Sequence, residues 1–402
     1  MNLVCHARRF FLYSMMTMMA SLTFSKALVE ISFAFSFIFF LIHFFNKPQS
    51  AKLFSLHKPI LFFLFFYLLC VLVSLVFSEY PKESFRGVLK ILQAVMIFIM
   101  ALDLFHTKED MRNFQAFFIV LFLVMIINAI FQYGFGFDFI RGNEYLYSSA
   151  GRRLRSAFKT YGLFANYLNV ACLFVFLKLL NYKKMDKLRL LYFLLFILGC
   201  YCLFLTRSRG AWVAFIFAIL GITVLQRKWL VVALLALLIL WGYKQIPRHM
   251  LIHLDSNFQE QSVSERLLLW ERAIDVIKAK PVIGTGINTY SKAHGKYDER
   301  QSKRVRGYYA HNGYLQTGAE IGLPGLFFFV GFIFSCVCIV LYVLLRQKNP
   351  DWEPIAWLGG NLAFLVFSLF DTVMHNATSF FLFTYTLGLM MSSFYLYRNS
   401  SS

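Results

Sequence analysis

The chain is divided into about a dozen apolar runs, roughly 16–21 residues each, separated by short polar segments. Runs of this length match a helix crossing the hydrocarbon core of a bilayer, which needs about 20 residues at a rise of about 1.5 Å each. In hydrocarbon every backbone N–H and C=O must find a partner inside the protein, so helices and closed barrels are the available spanning structures. A barrel would show shorter strands of alternating polarity instead. With 59% apolar residues and 49 Phe, the composition excludes an ordinary soluble domain and points to an all-α polytopic membrane protein. The expected spans are 10–25, 29–45, 59–78, 88–106, 115–135, 163–181, 189–205, 210–226, 228–243, 325–345, 355–373 and 378–397.

Charge sets the expected orientation. Lys47, Lys52 and Lys58 follow the second run, Lys183, Lys184, Lys187 and Arg189 the sixth, Arg227 and Lys228 the eighth, and Arg346 and Lys348 the tenth. These short loops share one side, which the positive-inside rule makes cytoplasmic, with both termini. Much of the net charge of +20 is explained in this way, so no nucleic-acid partner is expected. Six of the seven Cys fall inside apolar runs and read as packing residues; Cys200-x-Cys202 lacks the spacing of a redox or zinc motif.

The opposite side breaks the charge rule. Residues 136–162 carry Arg141, Arg152, Arg153, Arg155 and Lys159, and Arg207-Ser208-Arg209-Gly210 forms a tight turn. A long polar stretch from Lys244 to Pro324 separates membrane helices 1–243 from membrane helices 325–402. Cations gathered there call for an anionic ligand near the membrane surface, such as a lipid-linked phosphate. Within the long stretch, Ser262-Val263-Ser264-Glu265 fits a capping box, predicting a helix to about Lys278 before Pro281. Leu267, Trp270, Ile274 and Ile277 would share its apolar face. Gly284-Thr285-Gly286 reads as a turn, and the charged segment from Lys292 to Arg306 follows it.

Arginine grips phosphate with a two-pronged, permanently charged fork, and histidine takes a proton near neutral pH. Arg209 at the mouth of the eighth helix and Arg266 in the first turn of the loop helix are the candidate phosphate ligands. Their bland readings are an interfacial anchor and a solvated helix face. Arg207, Arg155, Asn312 and Arg272 are supporting candidates. His311, followed by Asn312 and a helical stretch, is the candidate base, with Glu320 as its rival. The outer acids show no DxD or HExxH pattern, so no metal is assigned, and neither a P-loop nor a dinucleotide fingerprint points to a cofactor.

His311-Asn312, nine residues, Gly322, two residues and Gly325 resemble the H[NSR]-x9-G-x-x-G signature of the lipopolysaccharide O-antigen ligases (WaaL), in the O-antigen ligase/polymerase (Wzy-type) superfamily. Ser208-Arg209-Gly210 resembles that superfamily's arginine turn; Arg266, Trp270, Pro281, Gly284 and Gly286 resemble its long-loop pattern, and Arg155 to Asn166 its preceding outer segment. The resemblance implies a GT-C-like, metal-independent, inverting glycosyltransferase of the bacterial inner membrane, with a periplasmic site on a long loop containing amphipathic helices. The donor would be undecaprenyl-diphosphate-linked glycan and the acceptor a sugar hydroxyl of lipid A-core, with no cofactor. His311 would activate the hydroxyl, and Arg209 and Arg266 would bind the diphosphate. An O-antigen polymerase or protein O-oligosaccharyltransferase shares this layout. A lipid-linked glycan transporter would instead need ionisable residues deep within the helices. Asp103, Lys178 and Asp371 lie near predicted helix ends.

Overall fold

A computed structural model describes residues 2–46, 56–148, 151–245, 257–297, 309–347 and 350–400. Lys47, Lys52, Lys348 and most of the charged segment before Arg306 lie outside these residues. The protein is an all-α polytopic membrane protein. Its helices are α1 (Asn2–Phe24), α2 (Lys26–Asn46), α3 (Lys58–Val76), α4 (Pro81–Leu102), α5 (Lys108–Phe135), α6 (Tyr161–Asn181) and α7 (Lys187–Leu205), continuing with α8 (Arg209–Leu225), α9 (Trp229–Gln245), α10 (Asn257–Ala279), α11 (Tyr290–Ala293), α12 (Gly313–Arg346), α13 (Trp352–Phe367) and α14 (Ala377–Ser400). Among the described residues, α2–α7, α12 and α14 are long and apolar enough to cross a membrane, and α8 is a shorter apolar helix. One hairpin, β1 (Leu146–Ser148) with β2 (Gly151–Arg153), lies between α5 and α6.

Packing follows the apolar faces. α12 runs along α3, α14 along α4, and α13 against α6, α8 and α14. Trp357 of α13 is fully buried, ringed by Phe114, Phe118 and Phe174. Phe62, Phe65, Phe193, Phe204, Phe217 and Phe327 remain exposed on outward faces, the pattern of helices solvated by lipid.

Several helix ends differ from expectation because polar first turns hide from a hydropathy reading. α4 starts at Pro81, whose missing N–H suits a first turn. α5 starts at Lys108 under a capping box in which Thr107 and Asp110 exchange side-chain-to-backbone hydrogen bonds. α12 starts at Gly313, so the helical stretch expected after His311 runs on through a kink into the span expected from 325. α10 starts at Asn257, so Ser262 is inside the helix and is not its cap. Its buried stripe is Leu269, Arg272, Ala273 and Val276, whereas Leu267 and Ile274, two of the residues expected on its apolar face, are exposed.

The long segment after α10 is docked by a kink in α12. Gly322 has φ +74° and ψ 171°, outside the helical region. The interrupted ladder leaves the carbonyls of Ala319 and Glu320 to accept from Thr285 N at 3.0 Å and Gly286 N at 2.9 Å, while Leu323 N donates to the Pro281 carbonyl at 2.8 Å. A side chain at Gly322 would be strained at this φ and would collide with the Val282 carbonyl. The Gly284-Thr285-Gly286 turn is therefore a docking turn for α12. Glu79, in the α3–α4 connection, accepts from Lys296 at 2.8 Å and from the Tyr297 hydroxyl, pinning the far end of the same segment. Burial pushes the Glu79 carboxyl upward, but the hydrogen bonds from Lys296 and Tyr297 and the charges of Lys296 and Lys280 outweigh it and hold it below the usual range.

Candidate active site

His311 occupies the turn entering α12, with φ +49°. The left-handed region costs an L-residue roughly 1–2 kcal/mol, so the surroundings must hold it there. They do so through the backbone. Asn312 caps α12 by accepting from Tyr314 N and Leu315 N, each at 3.0 Å. Gly313 N donates to the Ser368 carbonyl at 2.7 Å, and Ala310 N to Gln316 Oε1 at 3.3 Å. The imidazole is half-buried, with Nδ1 3.4 Å from Asp371 Oδ1. Asp371 stands in the turn after α13, where its Oδ1 accepts from Thr372 N at 2.7 Å. Its Oδ2 faces the start of α6, 3.3 Å from where a side chain on Gly162 would begin. A carboxylate beside Nδ1 favours the tautomer that keeps that proton, leaving Nε2 as the basic nitrogen.

The arginine turn is built beside this pair. Thr206 Oγ1 donates to the Leu203 carbonyl at 2.7 Å and accepts from Ser208 N at 3.3 Å, closing the end of α7. Arg207, exposed with φ +52°, makes the reversal, and Arg209 opens α8. Gly210 backs onto Phe370, the residue before Asp371, so closely that an added Cβ would lie 2.9 Å from the Phe370 Cβ. The hairpin reaches the same place, because Leu154 N donates to the Leu205 carbonyl at 3.2 Å. Arg153 thus arrives beside the turn, its guanidinium 4.4 Å from the centre of the Tyr161 ring at the start of α6. The positive charges of Arg266, exposed on α10, and Arg153 both act on the Arg209 guanidinium. Arg153 Nε is buried with no hydrogen-bond partner among the described residues. Three like charges repel one another, and an anion between them would relieve that repulsion and give Arg153 Nε an acceptor.

Other candidates lie elsewhere. Arg155 donates from Nε to the Glu144 carbonyl at 2.8 Å and from a terminal nitrogen to the Lys159 carbonyl at 3.1 Å, clamping its own loop. Arg272 is buried, and its charge acts on Tyr290, in the packing of α10 over α11 and α12. Glu320 is 1% exposed and accepts from Asn288 N at 2.7 Å, Tyr290 N at 3.2 Å and Gln316 Nε2 at 3.2 Å. It is an internal anchor for the long segment and is sealed from any acceptor. His375 Nδ1 is 3.6 Å from Glu320 Oε2, and Lys90 Nζ donates to the His375 carbonyl. Burial, reinforced by the Lys90 charge, pushes the His375 imidazole down to about 3.

Two residues of this site escape a reading of the sequence alone. Asp371 falls at the end of an apolar run, and Arg153 cannot be told from its neighbours in a cation-rich loop. The signal available for Asp371 is an acid placed where an apolar run ends.

No curated protein matches the chain. Residues 193–330 match the family model described as O-antigen ligase. The matched stretch includes Arg209, Arg266, His311, Gly322 and Gly325, and the kink and cap described above account for the spacing of the last three. Over this stretch, which is less than half of its length, the chain is similar to the O-antigen ligase family.

Proposed function

We propose that the protein transfers a glycan from undecaprenyl diphosphate to a sugar hydroxyl of lipid A-core, at the periplasmic face of the bacterial inner membrane. The observation that carries this reading is the placement of an accessible His311–Asp371 pair beside Arg153, Arg209 and Arg266. His311 Nε2 removes the proton of the acceptor hydroxyl as its oxygen attacks the anomeric carbon. The bond from that carbon to the diphosphate oxygen breaks in the same step, and the configuration inverts. The leaving diphosphate carries the electron pair away, and the guanidinium groups balance its charge. Asp371 balances the positive imidazole. The Arg cluster supplies the cationic charge that a metal ion would otherwise bring, so the reaction is metal-independent. Arg209 and Arg266 hold the diphosphate with Arg153 as a third ligand, while Arg155 and Arg272 shape the protein around them. The layout is GT-C-like, with residues 244–324 as the periplasmic loop.

The test supplies purified protein with undecaprenyl-diphosphate glycan, lipid A-core and EDTA. Glycan attached to lipid A-core by the wild type, and lost in folded His311→Ala, is the expected result. Longer lipid-linked chains with no transfer to core would make the protein a polymerase. Glycan crossing liposomes with no covalent product would overturn the enzymatic reading.

A further inference from the structure

The end of the bundle remote from His311 holds a second cluster of chemically capable side chains. The N-terminal half of α4 touches the long segment, since a side chain added at Gly87 would begin 2.8 Å from Asn288. α4 has 22 residues, so its other end lies about 30 Å away. There Asp103 caps α4, His106 follows in the turn to α5, and His43 stands in the last turn of α2. Their ligand atoms lie within 4.8 Å of one another. Asp103 Oδ2 is 3.5 Å from His106 Nε2 and 3.9 Å from His43 Nε2. The two imidazoles meet edge to face with centroids 5.1 Å apart, so both Nε2 atoms converge on one carboxylate oxygen. Asp103 and His43 are 1% and 3% exposed. His106 Nε2 is buried without a hydrogen-bond partner among the described residues.

We propose that His43, Asp103 and His106 bind a divalent transition-metal ion of the zinc class. The separations exceed the 2.7–3.2 Å of ordinary N–H···O hydrogen bonds. They approach the edge of a coordination tetrahedron, about 3.3–3.6 Å for metal–ligand bonds of about 2.0–2.2 Å. Two imidazoles and one carboxylate form the donor set that borderline metals prefer over magnesium or calcium. α2 and α4 both end at the cluster, so the negative ends of two helix dipoles favour a cation there. A fourth position is left for water. The ion would tie α2, α4 and the turn into α5 together, acting on stability and remaining apart from the chemistry at His311.

The experiment uses tag-free, detergent-purified full-length protein, stripped with chelator and reloaded with zinc or cobalt. A single retained zinc per chain, a tetrahedral-type cobalt absorption band and a rise in Tm on reloading are expected. All three should disappear in His106→Ala and in Asp103→Asn, each shown to be folded before loading. Failure of wild type to retain zinc, or equal retention by folded His106→Ala, would overturn the proposal. Wild-type cobalt spectra lacking nitrogen and oxygen ligation would also overturn it, whatever the variants do.

Discussion

Two histidine–carboxylate pairs join the same two segments in opposite directions. His311, entering α12, reaches across to Asp371 in the α13–α14 turn; His375, in that turn, reaches back to Glu320 in α12. The separations are similar, 3.4 Å and 3.6 Å, but the surroundings are not. The first pair has side chains 38% and 29% exposed, and the second 11% and 1%. The open pair is, on the proposed function, the one that meets the acceptor hydroxyl beside the arginine turn. The sealed pair is embedded among Lys90, Gln316 and the backbone of the long segment, where its polar groups hold elements together. Each pair joins a histidine to a carboxylate, so on the proposed function accessibility is what sets their roles apart.

The largest expected effect separates the pairs by activity. His311→Ala should lower glycan transfer by roughly 10²–10⁴-fold with little change in Tm, measured by product formation and a melting curve. His375→Gln should leave transfer largely intact and show its effect as lost stability. The arginines sharpen the contrast further. Arg153→Ala should cost transfer about 10²-fold or more, whereas Arg155→Ala should mainly loosen the loop, read as faster proteolysis between α5 and α6.

Next comes the kink that docks the long segment below the open pair. Gly322→Ala should destabilise the protein by at least about 1–2 kcal/mol, read as a lower Tm, because a side chain must occupy a left-handed φ against the Val282 carbonyl. A smaller effect is pH-dependent. His375 falls from its ordinary value of 6.5 to about 3 on folding. The unfolded chain therefore binds the extra proton between those limits, and stability rises with pH across that window. The stabilising contribution is complete above about pH 6.5 and is lost as pH falls toward 3. In His375→Gln the acid limb of the Tm–pH curve should flatten.

Much of the fold was legible because membrane helices announce themselves as uninterrupted apolar runs. Polar helical turns did not announce themselves. The first turns of α4 and α5 read as loops, and the capping box at Ser262 lies five residues past the true start of α10 at Asn257. His311, Asn312, Gly322 and Gly325 were legible together because one helix and its kink fix their spacing locally. Asp371 was not, since its partnership with His311 depends on how α13 ends against α12, sixty residues along the chain. Arg153 and Arg155 differ in role because the hairpin register and the bond from Leu154 to Leu205 decide which guanidinium meets the arginine turn.

The most direct measurement is single-turnover transfer from undecaprenyl-diphosphate glycan by wild type, His311→Ala and His375→Gln, each shown to be folded. The account predicts rapid product formation by wild type and His375→Gln and a chemical step slowed by at least 10²-fold in His311→Ala. Transfer by folded His311→Ala at the wild-type rate would contradict the assignment of the open pair as the catalytic one.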